Sequence, residues 1–355
     1  MFSQRNIHDT LHYRCALREF EDLVCQIDDV ELLAPRPKRI YKHSSRVALK
    51  LAAKYSASFN PGIPCTKLNK EYDMFFAFCM FPKELLHVES VKGWDKCSKM
   101  SVCWIDEIWL SDLYWCRYYL DILAKFDVVM ITLSSSVDAV SEKIGKRVHF
   151  LPLGINSLLF SPYPNKPERS LDLYSLGRRS DITHKKLLEL CKSNKFFYIF
   201  DTMDAEKVLD PVQHRVLVSS LAKRAKYFIV NPGKVDIPHE TTIQSEFGAR
   251  YFEGCAAGTI MIGEHPKTSS FKEIFHWPNA VVEFPFDGDH IEEFIKDLEH
   301  NSQMYEPVRR ENVVQSLNNH DWLHRWSSIL ESAGMEPCEN LLEREDRLKN
   351  ISELI

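Results

Sequence analysis

Short apolar runs, separated by segments of helical periodicity, constrain the fold of this chain more than any other feature of its first half. The runs cover residues 72–81, 100–104, 126–132 and 148–151. A strand that is apolar on both faces is typical of a parallel sheet covered by helices on both sides. Strands that alternate with helices predict the same arrangement. The sequence therefore predicts an α/β fold built on a parallel sheet.

The second half repeats this alternation, which predicts a second domain of the same class. We expect its strands at residues 171–176, 196–201, 227–230, 259–262 and 280–284. Gly154 and three nearby prolines mark residues 151–167 as a stiff linker between the halves. The predicted domains are residues 1–155 and 156–330, followed by a charged helical tail over 331–355. Trp322 and Trp326 are expected to be core anchors of a late helix.

Composition narrows the class of protein. The chain has 355 residues, of which 45% are hydrophobic and 27% charged, as in an ordinary globular protein of two domains. A formal net charge of −5 argues against nucleic acid as the main partner. Ten cysteines are scattered without a CxxC pair, and no signal peptide is recognised, so we expect a cytoplasmic protein. No apolar run approaches the ~20 residues of a membrane span, although peripheral membrane contact stays open.

Residues 245–263 hold the most informative charge pattern. The pattern predicts a helix to about Ala257, a stop at Gly258 and then a buried strand. Glu246, Arg250 and Glu253 would share one face of this helix, whose other positions are mostly apolar or small. Buried charges are costly unless they are paired or used. Two interpretations follow: a ladder of self-paired charges, or a polar stripe facing a ligand cleft.

The order Glu253-x-x-Ala256-x-Gly258, followed by a strand, resembles the donor site of group 1 GT-B glycosyltransferases. Arg250-x-x-Glu253 is closer to a divergent branch that includes CgeB-like proteins. Residues 151–162 also resemble the hinge of that class, Pro-x-Gly-[Val/Ile]-[Asp/Asn] running to Phe-x-Pro. The resemblance implies two Rossmann-like domains whose parallel sheets face each other across a cleft. It also implies an opening strand, which the sequence does not show.

The resemblance assigns roles to the charged residues. Glu253 would hold the nucleotide ribose, Arg250 would orient Glu253 or touch a phosphate, and Glu246 would face the transferred sugar. A strand ending at Gly177-Arg178-Arg179, with Lys185 or Lys186 on the next helix, resembles the element whose cations neutralise the leaving diphosphate. The alternative is a basic surface turn. Gly258, which permits a close approach, and Asn231, in the turn-rich loop before the helix, complete the predicted donor site.

Two further groups are open to more than one interpretation. Asp106 and Glu107 end a predicted strand, where ligands of parallel sheets bind, and would serve as an acceptor-side base or as contacts for sugar hydroxyls. Equally, they would cap a helix over residues 109–123. The basic helix predicted for residues 44–55 is either a solvated face or a phosphate site.

The leading hypothesis is a hexosyltransferase that moves a sugar from a UDP- or GDP-linked donor to a small-molecule, glycan or lipid acceptor. The chain lacks a suitably placed DxD motif, a GxGxxG motif and a P-loop, so we expect no metal and no cofactor beyond the nucleotide-sugar co-substrate. The class resemblance implies retention of anomeric configuration. The alternative is a non-catalytic GT-B-like protein that binds a sugar nucleotide or a partner.

Overall fold

The chain folds as two compact α/β units. The computed structural model describes residues 1–8, 12–55, 59–192, 196–201, 208–241 and 244–355. The first unit comprises Met1–Pro152 and Arg325–Leu341, and the second comprises Leu153–His324 and Leu342–Ile355. Each unit contains a parallel sheet with helices, which confirms the predicted fold class.

The first unit is built on a four-stranded parallel sheet in the order β2-β4-β5-β6, with β1 and β3 forming a separate pair. The carboxyl-terminal halves of β2 and β4 are buried, as their unbroken apolar sequence predicts. The strands are β1 (Thr66–Lys67), β2 (Tyr72–Cys79), β3 (Val91–Lys92), β4 (Ser98–Ile105), β5 (Val128–Ile131) and β6 (Val148–Phe150). The α-helices are α1 (Cys15–Ile27), α2 (Tyr41–Tyr55), α3 (Leu85–Val88), α4 (Arg117–Leu123) and α5 (Val137–Ile144).

The opening strand that the sequence does not show is present in minimal form. Phe2 makes parallel bridges to Ala77 of β2 on one side and to Leu33 on the other. Its amide donates a hydrogen bond to the Phe76 carbonyl over 2.8 Å, and its side chain is fully buried. A strand this short carries no period-two pattern, so periodicity alone does not reveal it.

The second unit carries a five-stranded parallel sheet in the order β11-β10-β9-β7-β8. Its strands are β7 (Leu171–Ser175), β8 (Tyr198–Phe200), β9 (Ala225–Val230), β10 (Ile260–Gly263) and β11 (Val281–Glu283). Strands β8 and β9 lie on opposite sides of β7, so the strand order reverses there. In open parallel sheets such a reversal leaves a crevice beyond the carboxyl ends of the two strands, here β7 and β9.

Ten α-helices belong to the described part of the second half of the chain. They are α6 (Ser157–Phe160), α7 (Asp181–Lys192), α8 (Pro211–Arg224), α9 (Pro238–Thr241), α10 (Ala249–Ala256), α11 (Ser269–Ile274), α12 (Ile291–His300), α13 (Ser302–Gln315), α14 (Trp322–Ser332) and α15 (Glu339–Ser352). Trp322 and Trp326 are buried, as predicted, and the Trp326 indole donates to Asp28 within the first unit over 2.7 Å. None of the described helices is both long and apolar enough to cross a membrane.

Helix α10 is shorter than predicted, and this corrects the position of Glu246. The helix begins after Gly248, a residue type that disfavours helix, and Glu246 precedes it in a non-helical segment. The Glu246 carbonyl accepts a hydrogen bond from the Gly233 amide over 2.8 Å, which holds that segment against the loop after β9. The expectation of three charges on one helical face is therefore wrong for Glu246, whereas Arg250 and Glu253 do lie on α10.

Candidate functional site

The centre of the candidate site is the carboxylate of Glu253, which is fully buried on α10. Arg215 of α8 donates to one carboxylate oxygen, and Arg250, one turn earlier on α10, donates to the other. Burial raises the pKa of Glu253, but the charges and hydrogen bonds of Arg250 and Arg215 outweigh it and hold the pKa below its usual value. The carboxylate is thus ionised at neutral pH.

One carboxylate between two guanidinium groups leaves one positive charge in excess. The Arg215 side chain is only 5% exposed, and its guanidinium lies 4.7 Å from the centre of the Phe160 ring. The Arg250 side chain is 29% exposed, so it carries the excess charge toward solvent. Arg215 was missed at the sequence level. Its sequence neighbours, His214 and Val216, give no local sign that this arginine is buried beside Glu253.

Arg250 reaches the turn that follows β7. Gly177 in this turn has a φ of +89°, and a Cβ there would lie 3.7 Å from the Arg250 Nε atom. The Gly177 amide faces both carboxylate oxygens of Asp201, each at 3.2 Å, and Arg179 pairs with the same carboxylate. Glycine suits this turn because it adopts a positive φ without strain. The Gly177 turn and the charged end of α10 are therefore neighbours, as the donor-site hypothesis requires.

The loop after β9 closes the other side of the crevice. Arg178 pairs with Asp236 of this loop, the same Arg178 nitrogen lying 2.8 Å from each carboxylate oxygen. Asn231 accepts the Glu264 amide over 3.2 Å and so ties the end of β9 to the end of β10. The Glu246 carboxylate is buried behind this loop and accepts a hydrogen bond from Gln244 over 3.1 Å. Arg178, Asn231, Glu246 and Arg250 thus surround the carboxyl ends of β7 and β9.

Three predicted donor residues lie apart from this group. Lys185 and Lys186 are exposed on α7, where Lys186 pairs with Glu189 over 3.4 Å. Gly258 lies at the far end of α10, where a Cβ would approach the Val313 Cγ2 atom to 2.8 Å. The close approach that Gly258 permits is that of α13, not of a ligand. Arg179, which sequence reasoning left without a role, lies nearer to the crevice than either lysine because it shares Asp201 with Gly177.

The acidic pair of the first unit does not cap a helix. A 3₁₀ turn begins at Leu110 and α4 only at Arg117, so the capping interpretation is wrong. The Asp106 side chain is buried just beyond β4, and burial raises its pKa well above its ordinary value, with the charge of Glu107 adding to the effect. Glu107 is half-buried and accepts the Trp109 indole N–H over 3.1 Å.

A second buried ion pair lies at the same edge of the first sheet, and it too was missed at the sequence level. Arg14 pairs with Glu84, which also accepts the Gln4 amide N–H over 2.9 Å. The Gln4 oxygen lies 2.6 Å from His87 Nδ1, and the Tyr41 hydroxyl lies 3.0 Å from His87 Nε2. Because an amide oxygen only accepts, His87 carries its proton on Nδ1, and its Nε2 accepts a hydrogen bond from the Tyr41 hydroxyl. Burial, with the positive charges of Arg14 and Lys83, lowers the pKa of His87 to about 3.

Within the described ranges, no group of three or more His, Cys, Asp or Glu side chains is arranged to hold a metal ion. The expectation of metal independence stays a prediction.

No family model and no curated protein matches this chain. Among solved structures it is similar to TarM, with 9% identity and a TM-score of 0.46 over 81% of this chain. The chain spans 58% of the length of TarM. It is also similar to an α-glucosyltransferase solved with UDP and DNA containing an HMU base, at 11% identity and a TM-score of 0.48. A second structure of an α-glucosyltransferase, with UDP-glucose and DNA containing an abasic site, gives 11% identity and 0.49; each match covers 94% of this chain and 98% of the other. These likenesses concern the fold alone.

Proposed function

We propose that this protein is a nucleotide-sugar-dependent glycosyltransferase of the GT-B type, with its donor site at the carboxyl ends of β7 and β9. The observation that carries the proposal is the excess positive charge of the Arg215–Glu253–Arg250 cluster beside the Gly177 turn. A departing nucleoside diphosphate accumulates negative charge, and fixed cations in a partly dry crevice stabilise it. Such cations would also replace a metal ion.

The geometry supports a division of roles among these residues. Arg250 and Arg178 would bind the diphosphate, since both are partly exposed and lie beside the strand ends. Each oxygen of Glu253 already accepts one guanidinium N–H, but a carboxylate oxygen has two lone-pair sites. Glu253 can therefore still accept ribose hydroxyls, which is the role that the family resemblance implies. Glu246 would face the sugar from the segment before α10.

We propose that the acceptor binds the first unit, beside Asp106 and Glu107. Burial raises the pKa of Asp106 and so disfavours its ionised form, whereas Glu107 is only half-buried and reaches solvent. Of the acidic pair, Glu107 is thus the better candidate for accepting a proton from a hydroxyl group. The class resemblance implies instead that the donor phosphate helps to deprotonate the acceptor, with retention of configuration. The acceptor would be a small molecule, a glycan or a lipid.

Thermal unfolding in the presence of UDP, GDP, TDP or ADP tests the donor site. A ligand at 100 times its Kd adds ~2.7 kcal/mol to the stability of the folded state. We expect one of the diphosphates to raise the Tm and the Arg178→Ala variant to lose that shift. The matched control is Lys185→Ala, which removes an exposed cation from α7 and should keep the wild-type shift. If the two variants respond equally, the donor site lies elsewhere.

Turnover separates an enzyme from a binding protein. The substrates are hexose conjugates of the nucleoside diphosphate that raises the Tm, together with a panel of candidate acceptors. Release of the free nucleoside diphosphate is measured. Release that depends on an acceptor and is lost in Arg178→Ala supports the transferase. Stabilisation by a diphosphate without release under any of these conditions supports the non-catalytic alternative.

A further inference from the structure

A long stretch of the first unit carries positive charge only. Between residues 32 and 70 the sequence has nine lysines and arginines and no aspartate or glutamate, in a chain whose formal net charge is −5. The middle of this stretch is α2. Lys70, at the end of the stretch, pairs with Glu31 over 2.7 Å. A run of one sign of this length is unusual on a globular surface, where both signs are ordinarily interspersed.

The cations of α2 lie on one outward face. Lys42, Arg46, Lys50 and Lys54 follow one another at a spacing of four residues and are all exposed. Ala48 and Ala52, on the opposite face, are buried, and Ala52 belongs to the hydrophobic core of the first unit. We call Lys42, Arg46, Lys50 and Lys54 the basic face. None of the four forms an ion pair with any residue that the structure describes, so their charge is free to meet an external anion.

Exposed apolar side chains flank the basic face. Ile40, Val47 and Tyr55 are each more than half exposed. Tyr114 and Trp115, 82% and 71% exposed, lie in the turn before α4, a helix that packs against α2. Single exposed apolar residues are ordinary, but aliphatic and aromatic side chains grouped beside unpaired cations are typical of helices that lie on membranes.

The basic helix is held in place before any partner arrives. Its first residue, Tyr41, donates a hydrogen bond to His87, and Ser44 donates to the Pro61 carbonyl over 2.8 Å. The Lys38 amide, just before the helix, bonds to the Gly62 carbonyl over 2.9 Å. A binding face that is already ordered avoids the conformational entropy of folding on contact.

We propose that the basic face and its flanking apolar side chains dock this protein on an anionic lipid bilayer. Lysine and arginine are attracted to anionic head groups, tyrosine and tryptophan prefer the interface, and aliphatic side chains enter the acyl boundary. A nucleic acid would engage the cations through its phosphates but would leave Ile40 and Val47 in water. The apolar flank therefore favours the bilayer. Docking does not depend on the donor site, so it is measured without a nucleotide.

Flotation with vesicles tests the proposal. The full chain should float with phosphatidylcholine vesicles that contain about 30% phosphatidylglycerol, not with pure phosphatidylcholine, and less in high salt. In Arg46→Glu/Lys50→Glu, vesicle binding should fall at least about tenfold. The matched control, Lys143→Glu/Arg147→Glu, makes the same change in net charge at exposed positions in and after α5 and should bind as wild type.

A second pair of variants separates the bilayer from other polyanions. Ile40→Ser/Val47→Ser keeps every cation and should weaken vesicle binding. All the substituted side chains are exposed, so each variant is expected to fold. Circular dichroism checks that it does. Equal loss in both charge-reversal variants would overturn the proposal. Binding to duplex DNA in place of vesicles would also overturn it. In that outcome Arg46→Glu/Lys50→Glu abolishes DNA binding, Ile40→Ser/Val47→Ser leaves DNA binding unchanged, and the wild type does not bind vesicles.

Discussion

The four-stranded and the five-stranded sheet each have a buried ion cluster beyond the carboxyl ends of their strands, but the two clusters differ in their charge balance. In the first unit Arg14 and Glu84 neutralise each other, and their side chains are only 7% and 1% exposed. In the second unit Glu253 is shared by two arginines, and one of them, Arg250, is 29% exposed. Burial is common to both clusters and so does not distinguish them. An excess of one sign that extends to solvent is the more informative feature.

Neutralising Glu84 should have the largest effect on stability. In Glu84→Gln, Arg14 keeps its charge but loses its counter-ion inside the protein, and breaking a buried pair in this way costs about 3–5 kcal/mol. Urea unfolding at equilibrium measures the loss. Lys99→Gln breaks an ion pair with Asp73 whose side chains are 73% and 67% exposed, and it should leave the unfolding curve unchanged. A loss below about 1 kcal/mol in Glu84→Gln would show that the first cluster is not sealed from water.

The two clusters should also respond differently to pH. Burial and nearby cations lower the pKa of His87 from 6.5 to about 3, so its neutral form is part of the folded state. The unfolded chain takes up a proton at His87 below pH 6.5, so this one side chain should lower the free energy of unfolding by roughly 2 kcal/mol between pH 7 and pH 5. Glu253, with its pKa held below 4.5, loses its contribution only at lower pH.

The variant His87→Asn isolates the contribution of His87 protonation to stability, because the asparagine amide does not titrate but can still donate a hydrogen bond toward Gln4. Urea unfolding at several pH values should show a shallower loss between pH 7 and pH 5 in this variant than in the wild type. His8, whose pKa is lowered by burial to about 2, acts in the same direction and remains in both proteins. Parallel pH profiles would mean that His87 is already solvated in the folded chain.

The two clusters also show what the sequence can and cannot predict. Apolar runs predict most strands of both sheets, because burial on two faces leaves a local pattern. The pairing of Arg250 with Glu253 was among the predicted alternatives, since residues three apart on a helix are neighbours. The opening strand at Phe2 left no periodic pattern in the sequence. The helix predicted from residue 245 begins only after Gly248, so Glu246 lies outside it.

The partners that decide the charge balance come from distant parts of the chain. Arg215 lies 38 residues before Glu253, and Arg14 lies 70 residues before Glu84. Periodicity reports only which face of an element is buried, not which element will pack against it. The sequence could therefore identify Glu253 as a costly buried charge, but it could not show that two arginines share it.

The two ends of α10 should be separable by mutation, because one end packs and the other faces the crevice. Gly258 has a φ of +60°, and a Cβ there would meet both Val313 and the Arg309 carbonyl. Gly258→Ala should cost about 1–2 kcal/mol in urea unfolding while the affinity for the stabilising diphosphate stays that of the wild type. Gly145→Ala, with a φ of +68° and no atom within 4 Å of its Cβ, is the matched control and should cost less. Weaker nucleotide binding in Gly258→Ala alone would return this glycine to the donor site.

Arg250→Gln should have the smallest effect on stability and a large one on binding. Glu253 keeps Arg215 as its counter-ion in this variant, and the lost side chain is partly solvated, so urea unfolding should change by less than about 1 kcal/mol. A hydrogen bond to a charged group contributes about 1.5–3 kcal/mol, so the affinity for the diphosphate should fall at least about tenfold. Calorimetric titration measures that affinity, and Lys186→Gln, on the exposed face of α7, should bind as wild type. Unchanged affinity together with a stability loss as large as that of Glu84→Gln would make the second cluster a structural pair like the first. The excess charge at Glu253 would then no longer distinguish a ligand site from a buried ion pair.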